Sequence, residues 1–438
     1  MANARLPASL FALTLVAPLA IGTPAAAQAP DRVPIAEFAP LPADPAPSAA
    51  AVALRNELLG ADHDDPDRVT LHWVGVSSFV VTAANHLFLF DAWEIIGVHS
   101  DYLPIGREEL AGLEPEAILV GHGHFDHAAD VGWVAGRTGA VVVGSEEICD
   151  TAKEDAAADG LADAFTCAIT GTMTSPAPGT VQALRLFEDL PPISILQHVH
   201  SAATPPSESN ELDPFIPVFD PVPYITHLNT DPEALAVFLE SLGDPQGGTW
   251  LYHLRVGDFS LLLGDSSGPI FDYPDVRAAL DAFATCVDVM ANAILGFDQP
   301  VSGLQDPALY VEHVHPKLFI PSHADAWAPV ISAGQDQYEE LFRSEMQALD
   351  NPPELLWIND PEDYLRQISF DVDDDRWVAP MAGSSCAAGA GGRLPDPNGG
   401  VAVDEDGSTP TTGGGVDVAA LTALALAGAL VRRRLRKA

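Results

Sequence analysis

The run Val120-Gly121-His122-Gly123-His124-Phe125-Asp126-His127 restricts this chain more than any other stretch. It follows an apolar segment, Ala117 to Val120, that reads as a buried strand, and a helical pattern begins after His127. The chain must therefore end a strand in a tight, glycine-containing turn that carries three imidazoles and a carboxylate. His122 and His124 share a side if the backbone is still extended there, while Asp126 and His127 lie past the turn. Such a set suits divalent zinc, and two neighbouring ions fit the spacing better than one. The competing reading is a polar surface turn that happens to be rich in histidine. Three histidines and an aspartate around a glycine at a strand end count against it.

The surrounding pattern changes character along the chain. Val69–Val74, Ser78–Thr82 and His86–Asp91 are short β-rich runs separated by turn residues, which predicts an antiparallel meander. From Glu108 onward, strands at 116–121 and 141–144 alternate with helices at 108–113, 128–135 and 146–157, so α/β units follow. A hairpin is expected over 249–256 and 259–264, a helix over 276–283 and a buried strand over 287–295. An amphipathic helix over 335–349 and a strand over 367–372 close the domain. The segment 202–231, rich in proline and aromatic residues, reads as a flap over a pocket.

The His-x-His-x-Asp-His signature after a strand resembles the metallo-β-lactamase fold superfamily, and further matches follow in order. Asp91 ends an apolar strand, where the family places a carboxylate that supports the ligand loop. One histidine is expected near 198–200. His198 and His200 face the same side of an extended segment, so pattern alone leaves both open, although the family's habit of placing the ligand before a small residue favours His200-Ser201. Asp265, after an apolar strand and Gly264, matches the carboxylate that bridges two metals. His323, ending Pro316-Lys-Leu-Phe-Ile-Pro-Ser-His323, matches the last motif, and Asp325 and Trp327 are expected beside it. Gly75, Ser77-Ser-Phe79 and Phe90-Asp91 further resemble the branch that includes the ascorbate-phosphate lactonases.

The resemblance, covering 68–372, implies a four-layer αββα sandwich with two divalent metal ions. His122, His124 and His200 would hold the first, and Asp126, His127 and His323 the second, with Asp265 between them. Zinc is the default, and nitrogen and oxygen ligands also admit iron or manganese. The implied activity is hydrolysis of a small ester, lactone, thioester, amide or phosphodiester, with Asp126 orienting water or carrying its proton. An iron-loaded redox or sulfur-chemistry enzyme and an inactive surface-anchored binding protein are the rival readings.

Both ends of the chain carry separate signals. Arg5, the apolar run Leu10–Ile21 and Ala27-Gln28-Ala29 read as a signal peptide over 1–29, so the protein is expected to be exported. Residues 30–67 read as a proline- and alanine-rich linker or loosely packed arm with one short helical piece around Ala51–Leu59, and 373–415 as a flexible stalk. Within 416–438, an apolar run without charge precedes Arg432–Lys437, resembling a bacterial sorting tail that anchors a protein to the membrane if it is retained. The run is short against the roughly 20 residues that span a bilayer. With 20 Lys and Arg against 62 Asp and Glu, the formal charge is −42. Such a surface repels nucleic acid and leaves small-molecule substrates as the expected partners. Cys149 and Cys167 flank a helical segment and are spaced to close a local loop, whereas Cys286 is expected to be buried and free.

Overall fold

A computed structural model describes residues 31–94, 103–201, 241, 243–283, 287–296, 304–326 and 334–378. The first sheet holds β1 (Arg32–Pro34), β2 (Arg68–Trp73), β3 (Phe79–Ala83), β4 (His86–Phe90), β5 (Ala117–Leu119), β6 (Val141–Gly144) and β7 (Cys167–Ile169). The second holds β8 (Val181–Leu184), β9 (Ile193–Gln197), β10 (Trp250–Val256), β11 (Phe259–Gly264), β12 (Val289–Ala293), β13 (Leu318–Ser322) and β14 (Glu354–Leu355). A last strand, β15 (Gln367–Asp371), returns to the first sheet, whose order is β1-β7-β6-β5-β4-β3-β2-β15. The second sheet runs β14-β13-β12-β11-β10-β9-β8.

The expected meander is present: β2, β3 and β4 pair antiparallel, and β4 through β7 then pair in parallel. Period-2 alternation explains how the second sheet can be apolar on both faces. Tyr252, Leu263, Ala291 and Ile320 join the core shared with the first sheet. Their neighbours Leu251, Leu262, Met290 and Phe319 point the other way, onto Leu280, Tyr310 and Phe342 of the outer helices. Across the interior the Phe90 and Tyr252 rings meet edge-on at 6.1 Å, and the Tyr252 hydroxyl donates to the Val120 carbonyl at 2.8 Å. That bond ties the second sheet to the strand end that carries the histidine run.

Three expectations need correction. The stretch 31–67 is no linker within the described residues: β1, an unexpected strand, pairs with β7, and the expected short helix is present as Ala49–Leu58 and packs on the domain. There the buried Arg55 donates to the carbonyls of Leu113 and Glu114 at 2.9 Å. Proline masked the strand because it needs no ladder N–H at the end of a short edge strand. The domain also runs past Val372. In the helix Asp375–Val378, Trp377 is buried with its ring 5.4 Å from Phe259 and 5.8 Å from Phe370. The helix expected over 128–135 is two, Phe125–Ala128 and Val131–Thr138, with Asp130 between them. Its earlier start puts Asp126 and His127 on a helical turn rather than in a loop.

Cys149 and Cys167 form a disulfide joining the helix Glu146–Ala157 to β7 across a sequence separation of 18. A loop of that length restricts the unfolded chain by about 3 kcal/mol. The C149A/C167A double variant is expected to lose about that much in urea unfolding, and an unchanged midpoint would show that the crosslink adds nothing. The signal segment, flap, Cys286, Trp327, most of the stalk and the C-terminal tail lie outside the described residues. Among those described, no helix is long and apolar enough to cross a membrane.

Candidate metal centre

The expected ligands and the supporting Asp91 all follow strand ends. Asp91 ends β4, the histidine run follows β5, His200 lies beyond β9, Asp265 follows β11 and His323 follows β13. Backbone bonds between the segments bring these ends together. The Asp91 N–H donates to Leu119 O at 2.8 Å, Trp250 N–H to Gly121 O at 2.8 Å, and Gly123 N–H to Gln246 O at 2.6 Å.

Two triads of donor atoms result. His122 Nε2 stands 3.0 Å from both His124 Nδ1 and His200 Nε2. His127 Nε2 lies 3.1 Å from His323 Nε2, and Asp126 Oδ2 lies 3.5 Å from the first and 3.3 Å from the second. Ligand atoms around tetrahedral zinc, at bonds of about 2.0–2.1 Å, sit roughly 3.3–3.4 Å apart. The second triad has that spacing and the first is a few tenths of an ångström tighter, so both fit a divalent ion. Asp265 stands between them, with Oδ2 2.7 Å from His122 Nδ1 and 3.5 Å from His127 Nδ1. Its Oδ1 is buried and accepts no hydrogen bond among the described residues. A buried carboxylate oxygen without a partner is costly, and a cation beside it would satisfy it.

The electrostatics of four of the five histidines suit the same chemistry, whereas at His323 burial lowers the pKa but the bond to Asp126 outweighs it and raises it. Burial, reinforced by neighbouring imidazoles, holds His122 and His200 well below the ordinary histidine range, and burial likewise lowers His124 and His127. Neutral imidazole is the form that binds metal. Burial pushes Asp126 up, but His127 and the bond to His323 outweigh it and hold the carboxylate below its usual range. Burial lifts both Asp91 and Asp265 above that range, and for Asp91 the charge of Asp265 adds to the effect.

Asp91 is engaged on both oxygens, although with His127 and Asp265 it also forms a group close enough to hold a cation. Its Oδ2 is 2.9 Å from His127 Nδ1 and its Oδ1 accepts the Gly121 N–H at 2.9 Å, so both oxygens are occupied. That pairing fixes His127 as the Nδ1–H tautomer and leaves Nε2 for the cluster. Of the two candidate histidines, His200 joins the cluster. His198 turns away and is buried, with Nδ1 2.8 Å from the Tyr310 hydroxyl.

Asp325 does not line the site as expected. It is buried and accepts the Val76 N–H at 3.0 Å and the Tyr364 hydroxyl at 2.5 Å. Val76, at φ 51°, in turn accepts the His323 N–H at 2.8 Å, so Asp325 braces the turn against which His323 rests. Sequence reading missed Val76, Tyr364 and Tyr310, because none has a local pattern and each is brought in by tertiary contact.

Residues 72–207 match the family model described as the metallo-beta-lactamase superfamily, a span that includes Asp91, the histidine run and His200. A metal-dependent hydrolase from Pyrobaculum calidifontis is 38% identical over 78 residues, covering 18% of this chain and 33% of the relative. One from Aeropyrum pernix is 33% identical over 88 residues, covering 20% of this chain and 34% of the relative. The chain thus matches about a third of the length of these curated relatives. A metallo hydrolase from Ignicoccus hospitalis aligns structurally at a TM-score of 0.42 and 14% identity, covering 69% of this chain and 98% of that one. The architecture is mixed α/β with two sheets.

Proposed function

We propose that this chain is a metal-dependent hydrolase holding two divalent ions, zinc by default, and cleaving a small uncharged acyl substrate such as an ester, lactone or amide. The observation that carries the reading is the meeting of two donor triads across the half-satisfied carboxylate of Asp265. His122, His124 and His200 would hold one ion, and Asp126, His127 and His323 the other. Such ions lower the pKa of water from 15.7 to about 7 and polarise a carbonyl or phosphoryl oxygen. The chain supplies the rest. Asp91 sets the tautomer of His127, Asp265 Oδ2 orients His122, and Asp126 Oδ2 can accept a hydrogen bond from water beside His323.

The choice of an uncharged substrate rests on the cations. Phosphoryl transfer is helped by Arg or Lys gathered on the transferred oxygens. Of the 20 Lys and Arg, Arg5, Arg393 and the cluster at 432–437 lie outside 31–378, and the others fall within the described stretches. Those are committed elsewhere: Arg107 faces Asp130, Lys153 donates to Phe165 O, and Lys317 pairs with Asp288. The net charge of −42 adds a field that disfavours anions. The lactonase-like branch fits the acyl cleavage in this reading but not its uncharged substrate, since an ascorbate phosphate is an anion. Export and tail anchoring are proposed on the sequence alone, from Leu10–Ile21 and the Arg432–Lys437 cluster.

Elemental analysis of the purified protein should find about two divalent ions per chain. Turnover of p-nitrophenyl acetate or a γ-lactone should stop with EDTA. Its kcat/KM should exceed that for bis-p-nitrophenyl phosphate by about 100-fold, the scale of one or two charge-assisted hydrogen bonds. Comparable phosphodiester turnover would reverse the substrate assignment. Two irons without any hydrolysis would replace the hydrolase with a redox enzyme.

A further inference from the structure

His200 and Asp265 must meet across the centre, yet they leave strands that are not neighbours, because β10 lies between β9 and β11. The sheet ladder therefore fixes neither loop against the other. A separate clasp joins them. The Ser201 N–H donates to Ser266 Oγ at 3.1 Å, so the residues next to each ligand are bonded directly. Gly268 packs so closely that a Cβ there would lie 2.3 Å from Val199 O and 2.5 Å from His200 O.

Tyr310 closes the clasp from the outer layer. It sits on the helix Gln305–Val314, fully buried, and its hydroxyl reaches both loops. It accepts the Gly268 N–H at 3.3 Å, lies 2.8 Å from His198 Nδ1 and 3.4 Å from Val199 O. A phenol offers one proton and two lone pairs. With one lone pair taken by Gly268, the phenol accepts from His198 Nδ1–H and donates to Val199 O in one tautomer, and in the other gives its proton to His198 Nδ1 instead. His198 is itself anchored, since its backbone N–H donates to Thr249 O at 2.9 Å.

We propose that Tyr310, acting with His198, is the positioning residue that sets His200 against Asp265, so that the ion held by His122, His124 and His200 depends on it. The ion at Asp126, His127 and His323 is braced separately, through Val76 and Asp325, and does not. This assignment rests on the metal-binding reading above.

The test is zinc affinity, measured by competition with a chromophoric chelator, in the full chain and its Tyr310→Phe variant. Phenylalanine keeps the packing and removes only the hydroxyl. Loss of a hydrogen bond behind a ligand typically weakens metal affinity 10–100-fold. We expect one of the two ions to weaken by about that factor, the other to stay within about twofold, and the EDTA-treated protein to melt within a few degrees of wild type. Ser266→Ala removes the second tie and should weaken the same ion. It carries the test alone if Tyr310→Phe does not fold, and a Ser266→Ala protein binding both ions like wild type then overturns the proposal. In the double variant the two losses should be non-additive, as for groups that share one clasp. Wild-type affinity for both ions in Tyr310→Phe, or equal weakening of both, would reduce Tyr310 to a core residue. A wild-type chain that binds no zinc would instead overturn the metal reading itself.

Discussion

Asp265→Asn will bind metal poorly yet be more stable than wild type once both are stripped of metal. Asp91 and Asp265 are both buried, and each is raised above the ordinary carboxylate range chiefly by burial. Without a cation, Asp265 Oδ1 has no hydrogen-bond partner among the described residues. The asparagine keeps the shape and an acceptor for His122 Nδ1 and removes the repulsion on Asp91. The amide has no more partners than the oxygen it replaces, so the gain comes from removing a buried charge beside Asp91, on the order of 1–3 kcal/mol. The metal-loaded comparison reverses. An ion present at about 1,000 times its Kd stabilises the wild-type fold by roughly 4 kcal/mol, and the variant gives up the carboxylate between the two triads. Calorimetry with EDTA and with zinc gives four melting temperatures. The reading requires wild type below Asp265→Asn in EDTA and above it in zinc. Parallel rises with zinc in both proteins would show that Asp265 is not at the metal centre.

That prediction depends on a residue whose meaning came almost entirely from context. Gly264-Asp265 is a common turn, and only its order after the histidine run marked it out. The histidine run itself was legible because strand, turn and ligands are contiguous, so local geometry already brings the donors together. His200 was harder. His198 and His200 share a side of an extended segment, and what separates them is Tyr310, more than a hundred residues away, which takes up His198. The fold shows the same division. The meander and the hairpin Trp250–Gly264 follow from alternation and turn residues that are local in the chain. β1 escaped notice because three residues ending in proline carry no period, and their place is set by pairing with Cys167–Ile169. Trp377 lay in a stretch acidic enough to read as a stalk, and it is ordered by the aromatic contacts with Phe259 and Phe370. Asp325 was noticed for its position after His323, but its side chain faces Val76, a relation no spacing rule encodes.

Gly121→Ala should remove the centre while leaving the fold standing. An added Cβ would lie 2.1 Å from Asp265 Cγ and 2.2 and 2.4 Å from its two oxygens. The backbone at this point cannot retreat. The Gly121 N–H is held by Asp91 Oδ1 at 2.9 Å, its carbonyl accepts from Trp250 N–H at 2.8 Å, and Val120 O is fixed by Tyr252. The carboxylate must therefore swing away, breaking its contact with His122 Nδ1 and withdrawing charge from both triads. Overpacking of this kind costs about 1–3 kcal/mol in stability. Loss of one preorganised electrostatic partner lowers kcat by about 10²–10³-fold. The expected protein is folded, one ion or more short by elemental analysis, and slower by at least that factor on the neutral ester. Gly243→Ala is the matched control, because a Cβ there meets nothing within 4 Å. If Gly121→Ala keeps two ions and full turnover, the carboxylate of Asp265 has room to move, and the close contact between the strand end and the centre is not what holds it in place.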